Sequence, residues 1–215
     1  MALNYRDDNP CSRIGPVLGP QQDPVQHMRA LPAPRRGGRR REGAGVEGDP
    51  GRQSGLEFLV LTAARSGEVR GARWDEMDTG DHVWTVPAAR TKAKRQHRVP
   101  LPRRALEVLD TARAAGNGGA LVFPSARGKR MNDMALSALL RTLEIPAVPH
   151  GFRSTFRDWA AEETDHPREV VEAALAHVVQ NKVEAAYARS DLFERRRQLM
   201  DDWSEYVVGG TGRAG

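Results

Sequence analysis

Residues 56–70 read Leu56-Glu57-Phe58-Leu59-Val60-Leu61-Thr62-Ala63-Ala64-Arg65-Ser66-Gly67-Glu68-Val69-Arg70. The first half is apolar almost without interruption, which predicts a helix buried in a core and running toward Arg65. It is far shorter than the roughly 18 residues that a membrane span needs. Arg65 then stands at a tight turn, and Gly67 and Glu68 open a second turn or helix that ends near Trp74. A long buried helix followed at once by a charged turn sets the frame for the rest of the chain.

C-terminal to this stretch, residues 81–87 (DHVWTVP) and 96–101 (QHRVPL) are short runs rich in β-branched residues. They predict two strands joined by the basic connector Ala88 to Arg95. Pro102 leads into an amphipathic helix with Leu106, Leu109 and Ala112 on its apolar side. Residues 116–119 form a loop, and Leu121 to Phe123 reads as a third short strand. Asn132 is placed to cap a helix carrying Met134, Leu136, Leu139, Leu140 and Leu143, which Pro146 and Pro149 end. The last third predicts helices over 151–163, from Pro167 (Val170, Val171, Ala174 and Leu175 inward), over 181–189, and from Asp191 (Leu192, Leu199, Met200 and Trp203 inward). Trp74, Trp159 and Trp203 read as core, Tyr206 as a packing residue, and Arg195-Arg196-Arg197 as a solvated helix face. The fold class expected is mainly α with a small antiparallel β-sheet.

The N-terminal quarter is different. Residues 1–31 read as an extended segment, because Pro10, Pro16, Pro20 and Pro24 prevent a long helix. Residues 32–55 hold seven glycines, three prolines and six arginines, and Val46 is their one large aliphatic. Such a composition cannot bury enough surface to offset its ordering entropy, so it predicts a disordered linker. The folded domain is expected over 56–207, with a flexible tail over 208–215.

Composition narrows the partners. Cys11 is the one cysteine, so an intrachain disulfide and CxxC metal sites are excluded. A polar Met1 to Pro10 lacks the apolar core of a secretion signal, and a reducing cytoplasm is the expected compartment. The net charge is +5, of which residues 33–54 contribute +3. Net charge alone therefore does not establish a nucleic-acid partner, and local arrangement must carry that reading.

Breaking a phosphodiester without a metal needs a nucleophile, cationic donors for the non-bridging oxygens, and a proton for the leaving oxygen. Arginine suits the clamp because its planar fork matches phosphate and stays charged. Tyrosine suits the nucleophile because its phosphate ester preserves the bond energy for rejoining. The chain offers such groups in order. Arg65 follows the buried helix. Lys92 lies in the basic connector. His150 and Arg153 sit three apart in PHGFR, on one face if helical. His177 ends LAH, and Tyr187 follows ten residues later. Taken singly, each has a plainer reading: Arg65 as a surface partner of Glu68, Lys92 as part of a solvated turn with Lys94 and Arg95, His177 as a structural histidine. Tyr5 and Tyr206 are the other two tyrosines.

Taken together, TAARSGEVR, HGFRSTFRDWA and LAH followed by a tyrosine resemble the boxes of the tyrosine recombinases, especially phage and genomic-island integrases. The resemblance covers residues 56–207 and implies a tyrosine recombinase catalytic domain. It implies that Arg65 and Arg153 clamp the phosphate and that Lys92 protonates the leaving oxygen. His150 assists proton transfer, His177 handles phosphate or protons, Tyr187 forms a 3′-phosphotyrosine, and Glu68 supports the site. No cofactor or metal is implied. The partner implied is double-stranded DNA, bound by a homo-tetramer, with no membrane and no small-molecule substrate. The family carries DNA-binding domains before this one, and about 55 residues precede the first box here, so a chain shortened at its N-terminus is expected. Residues 9–32 resemble the join between those domains. The functions to weigh are site-specific recombination and integration, DNA relaxation of the type IB topoisomerase kind, and an inactive DNA-binding remnant.

Overall fold

The computed structural model describes residues 49–116, 118–177 and 191–209. Helix α1 spans Pro50–Thr62 and is the axis of the fold. Leu56, Phe58, Leu59, Val60 and Leu61 are each fully buried, so the helix is enclosed on every side rather than amphipathic. It packs against α3 (Arg103–Ala115), α4 (Ala135–Thr142) and α7 (Phe193–Gly209).

Its start corrects the sequence reading. Residues 50–55 were expected at the end of a disordered linker, yet they form the first turns of α1, with Ser54 and Gly55 buried. Asp49 caps the helix through its carboxylate, which accepts the Gly51 N–H at 3.2 Å. Pro50 at the first helical position loses no hydrogen bond and already has a helical φ. Gly51 is there for space rather than for freedom: a Cβ would lie 2.0 Å from the Pro124 carbonyl oxygen. The glycine content that suggests disorder here permits close packing. Residues 1–48, which hold the rest of the expected linker and the segment before it, lie outside the described residues.

After α1 come the short helix α2 (Ser66–Val69) and a three-stranded antiparallel sheet in the order β1 (Met77–Asp78), β2 (Val83–Val86), β3 (His97–Pro100). The β2–β3 hairpin matches expectation, with Trp84 opposite Val99 and Val86 opposite His97. The third strand does not. Leu121 makes only an isolated bridge to Arg73, and the sheet is completed instead by Met77–Asp78. Val122 and Phe123 are buried, and the Val122 N–H goes to the Ala72 carbonyl at 2.9 Å, so this apolar run serves the core through a single crossing.

Helices α5 (Gly151–Glu162) and α6 (Arg168–Ala174) follow, close to their expected bounds. Helix α4 begins later than Asn132 suggests. The Asn132 side chain accepts the Met134 N–H at 3.0 Å, but the helix opens at Ala135 and Met134 is 55% exposed rather than inward. Helix α7 runs through Gly209, past the expected tail boundary at residue 208. Trp203 on α7 is fully buried, donates from its indole nitrogen to the Val60 carbonyl at 2.8 Å, and meets Phe156 edge-on at 5.3 Å. Tyr206 stacks on Trp203 as a packing residue. Trp74 is only partly buried at the edge of the core.

The arginine run on α7 is not a uniformly solvated face. Arg195 is exposed, but Arg196 is 1% exposed. Its guanidinium donates to the Arg98 carbonyl at 2.6 Å and pairs with Asp191 at 3.0 Å, tying α7 to β3. Burial pulls its pKa below the usual arginine value. Among the described residues no helix is long and apolar enough to cross a membrane. The helix expected over 181–189 lies outside the described residues.

Candidate active site

The turn that leaves α1 builds the first half of the site. Ala63 ends the helix in the left-handed region at φ 48°, and Arg65 follows in an extended conformation as the cap of α2. Glu68 is 4% exposed and holds Arg65 twice. One carboxylate oxygen accepts the Arg65 backbone N–H at 2.9 Å, and the other pairs with its guanidinium at 3.0 Å. The Arg65–Glu68 pair is therefore largely buried on the acid's side rather than a surface contact.

The second half comes from α5. His150 adopts helical angles at its cap position, and its carbonyl accepts the Arg153 N–H at 3.2 Å, so both belong to the first turn. Arg153 points inward and is 5% exposed, whereas His150 is exposed. The Arg153 fork spans two backbone carbonyls, Ala63 through Nη1 and Leu175 through Nη2, the latter at 2.7 Å. Arg65 donates to the same Leu175 carbonyl at 3.4 Å. Two guanidiniums from distant segments thus converge on the C-terminal end of α6. Orphan carbonyls at a helix end attract cations, which is the local reason for the convergence.

The charges do not balance there. Glu68 pairs with Arg65 and reaches Arg153 only through its charge. Burial first, and the Arg65 charge second, hold Arg153 down at about 10, still protonated at neutral pH. A site with excess buried positive charge is relieved by an anion, and planar forks favour a phosphate.

His177 follows Leu175 by two positions, is exposed, and its Nδ1 meets the Glu172 carboxylate at 2.6 Å. Lys92 is exposed on the connector between β2 and β3. Tyr187 lies outside the described residues. The structure therefore pairs Arg65 with Glu68, brings Arg65 and Arg153 to one carbonyl at Leu175, sets His150 and His177 on the segments that carry that meeting, and leaves Lys92 on the β2–β3 connector.

Residues 51–192 match the model of the phage integrase family. The chain belongs to this family of tyrosine recombinases. It is 40% identical over 154 residues to the prophage integrase IntA of Escherichia coli (strain K12), covering 70% of this chain and 37% of that protein. It is 29% identical over 223 residues to the integrase of Enterobacteria phage P4, covering 95% of this chain and 50% of that one. The chain thus spans half or less of the length of these two relatives. Among solved structures it resembles the XerA recombinase, with a TM-score of 0.52, 12% identity, and coverage of 96% of this chain and 61% of that one. That likeness is one of fold.

The family boxes do not include three residues that the structure places beside the site. His97 on β3 meets the Ala174 carbonyl at 3.2 Å, one residue before the carbonyl that the arginines share. Burial first, then the charge of Arg196, lowers its pKa to about 4, so it is neutral at pH 7. The strand alternation offered a signal, since period two puts His97 on the same side as buried Val99. Arg90 and Thr91 immediately precede Lys92; Thr91 is 3% exposed within a basic stretch that reads as solvated. Among the described residues no group of three or more His, Cys, Asp or Glu side chains is arranged to hold a metal ion.

Proposed function

We propose that this chain is the catalytic part of a site-specific DNA recombinase that cleaves and rejoins strands through a 3′-phosphotyrosine at Tyr187. The observation that carries this reading is the convergence of Arg65 and Arg153 on one carbonyl, with Glu68 paired to Arg65. In this reading the two arginines hold the non-bridging oxygens of the scissile phosphate. Charge that builds there in the transition state meets donors already in place, and one such donor is worth about 10²–10³ in rate.

The chemistry balances without a further reagent. The Tyr187 phenol oxygen bonds to phosphorus as the bond to the 5′ oxygen breaks. The phenol proton passes to His150, and Lys92 gives a proton to the leaving oxygen. His177 donates to the phosphate. Rejoining is the reverse, with the 5′ hydroxyl as nucleophile and Tyr187 as leaving group. The partner is double-stranded DNA, and exchange between two duplexes calls for a tetramer of the chain.

Covalent trapping tests the reading. Wild-type chain and Tyr187→Phe are incubated at low salt with a nicked duplex from the flanking attachment region, from which the cleaved fragment diffuses away. An SDS-resistant protein–DNA band lost only in the variant is the expected result. Absence of a band with folded wild-type chain favours an inactive remnant. Relaxation of supercoils without exchange between two sites favours topoisomerase-like action.

A further inference from the structure

The connector that carries Lys92 is mostly exposed from residue 92 to residue 96, yet its base is firmly anchored. Arg90 closes a 3₁₀ turn over Ala88–Arg90 and reaches back to α2. Its Nη1 donates to the Glu68 backbone carbonyl at 2.8 Å, and its Nη2 pairs with the Glu76 carboxylate. Glu76 is itself fixed, accepting from the Trp84 indole nitrogen at 3.1 Å and from the Arg73 N–H at 3.3 Å. Gly71 makes room for the guanidinium, since a Cβ there would lie 2.8 Å from Arg90 Nη1.

The next residue continues the anchoring. Thr91 is buried, and its hydroxyl lies 2.7 Å from the Arg95 carbonyl while accepting the Arg95 N–H at 3.2 Å. The turn 91–95 is therefore closed on itself, with Lys92 at its start. Glu68 is the residue that holds Arg65 by backbone and side chain alike. One continuous set of contacts runs from Arg65 through Glu68 and Arg90 to the turn that presents Lys92.

We propose that Arg90 is a positioning residue that locks the Lys92 turn to the helix holding Arg65, so that proton donor and phosphate clamp keep one geometry. The proposal rests on the reading of Lys92 as the proton donor to the leaving oxygen. Its physical basis is that donor and clamp must address one phosphate from two separate loops, where a 1 Å error costs about 10²-fold.

The test uses the full chain with Arg90→Gln and, as a second variant that keeps the arginine but crowds it, Gly71→Ala. Amide hydrogen exchange is expected to rise by at least about tenfold at Lys94 and Arg95 beyond any rise in the β2–β3 ladder, whose exchange reports the general loss of stability from the buried Glu76 carboxylate. Exchange that is unchanged in the turn, or raised equally throughout the sheet, overturns the proposal, and this arm needs no cleavage. The second arm compares nicked substrates with a 5′ oxygen or a 5′-bridging sulfur as leaving atom. A thiol ionises near pH ~8.5, so the sulfur leaves without a proton. Arg90→Gln is expected to slow the oxygen substrate by about tenfold or more and to leave the sulfur substrate nearly unaffected. Equal slowing on both overturns the positioning role. If Lys92→Ala slows both equally, the reading of Lys92 fails, while the exchange result still decides whether Arg90 holds the turn.

Discussion

Arg153→Lys keeps the charge and removes the fork. Arg153 spans the Ala63 and Leu175 carbonyls, and a lysine head cannot serve two acceptors set apart in this way. Leu175 keeps Arg65 as a second donor at 3.4 Å, so the group left without a partner is the Ala63 carbonyl. Ala63 is 1% exposed at the left-handed turn that ends α1, where water cannot replace the lost donor. An unsatisfied buried acceptor costs about 1–3 kcal/mol. At about 2 kcal/mol the folded-to-unfolded ratio falls roughly 30-fold. The melting temperature of a domain of this size falls by roughly 4–8 °C. Under the proposed chemistry, the same change removes one donor from the phosphate, and the cleavage rate falls by about 10²–10³. Urea denaturation followed by tryptophan fluorescence reads the first effect, and single-turnover trapping reads the second. A variant with the wild-type unfolding midpoint would refute the claim that Arg153 is held by bridging two carbonyls. Wild-type cleavage with a lowered midpoint would separate the structural role from the catalytic one.

Two further outcomes are expected. His97 is neutral in the folded chain down to about pH 4, whereas an unfolded histidine takes up a proton near pH 6.5. Its contribution is thus intact above pH 6.5 and drains away as the pH falls toward 4, by about 3 kcal/mol in all. His97→Gln should flatten that part of the stability–pH profile, and an unchanged slope would show that another group controls it. Arg196→Met strips donors from the Arg98 carbonyl and the Asp191 carboxylate and should cost about 2–3 kcal/mol. Arg195→Met, at an exposed position, should stay within about 0.5 kcal/mol. Equal unfolding midpoints for the two variants would mean that Arg196 is not held as described.

Much of this protein is written locally. The run from Leu56 to Leu61 announces a buried helix whatever surrounds it, because no other placement hides so continuous an apolar stretch. The β2–β3 hairpin follows from strand periodicity around a polar connector, and the boxes around Arg65 and Arg153 resemble a known family residue by residue. The Gly-rich residues 50–55 misled because glycine is ambiguous as a letter. It signals freedom in solution, but against the Pro124 carbonyl it signals close contact. The arginines show the same limit. Arg195, Arg196 and Arg197 are one repeated letter, yet Arg196 alone is enclosed, since its partners lie on β3 and ahead of α7. Arg90 reads as one more charge in a basic connector until Gly71 and Glu76 are seen around it. The meeting of Arg65 and Arg153 at Leu175 joins residues 110 and 22 positions apart in the chain. Sequence by itself determined the buried helix from Leu56, the β2–β3 hairpin and the helices α3, α5 and α6, because backbone preference and hydrophobic periodicity act over a few neighbours. Only the tertiary structure decided which long charged side chains turn inward and what they hold, because a buried charge is tolerated only where distant segments bring it a partner.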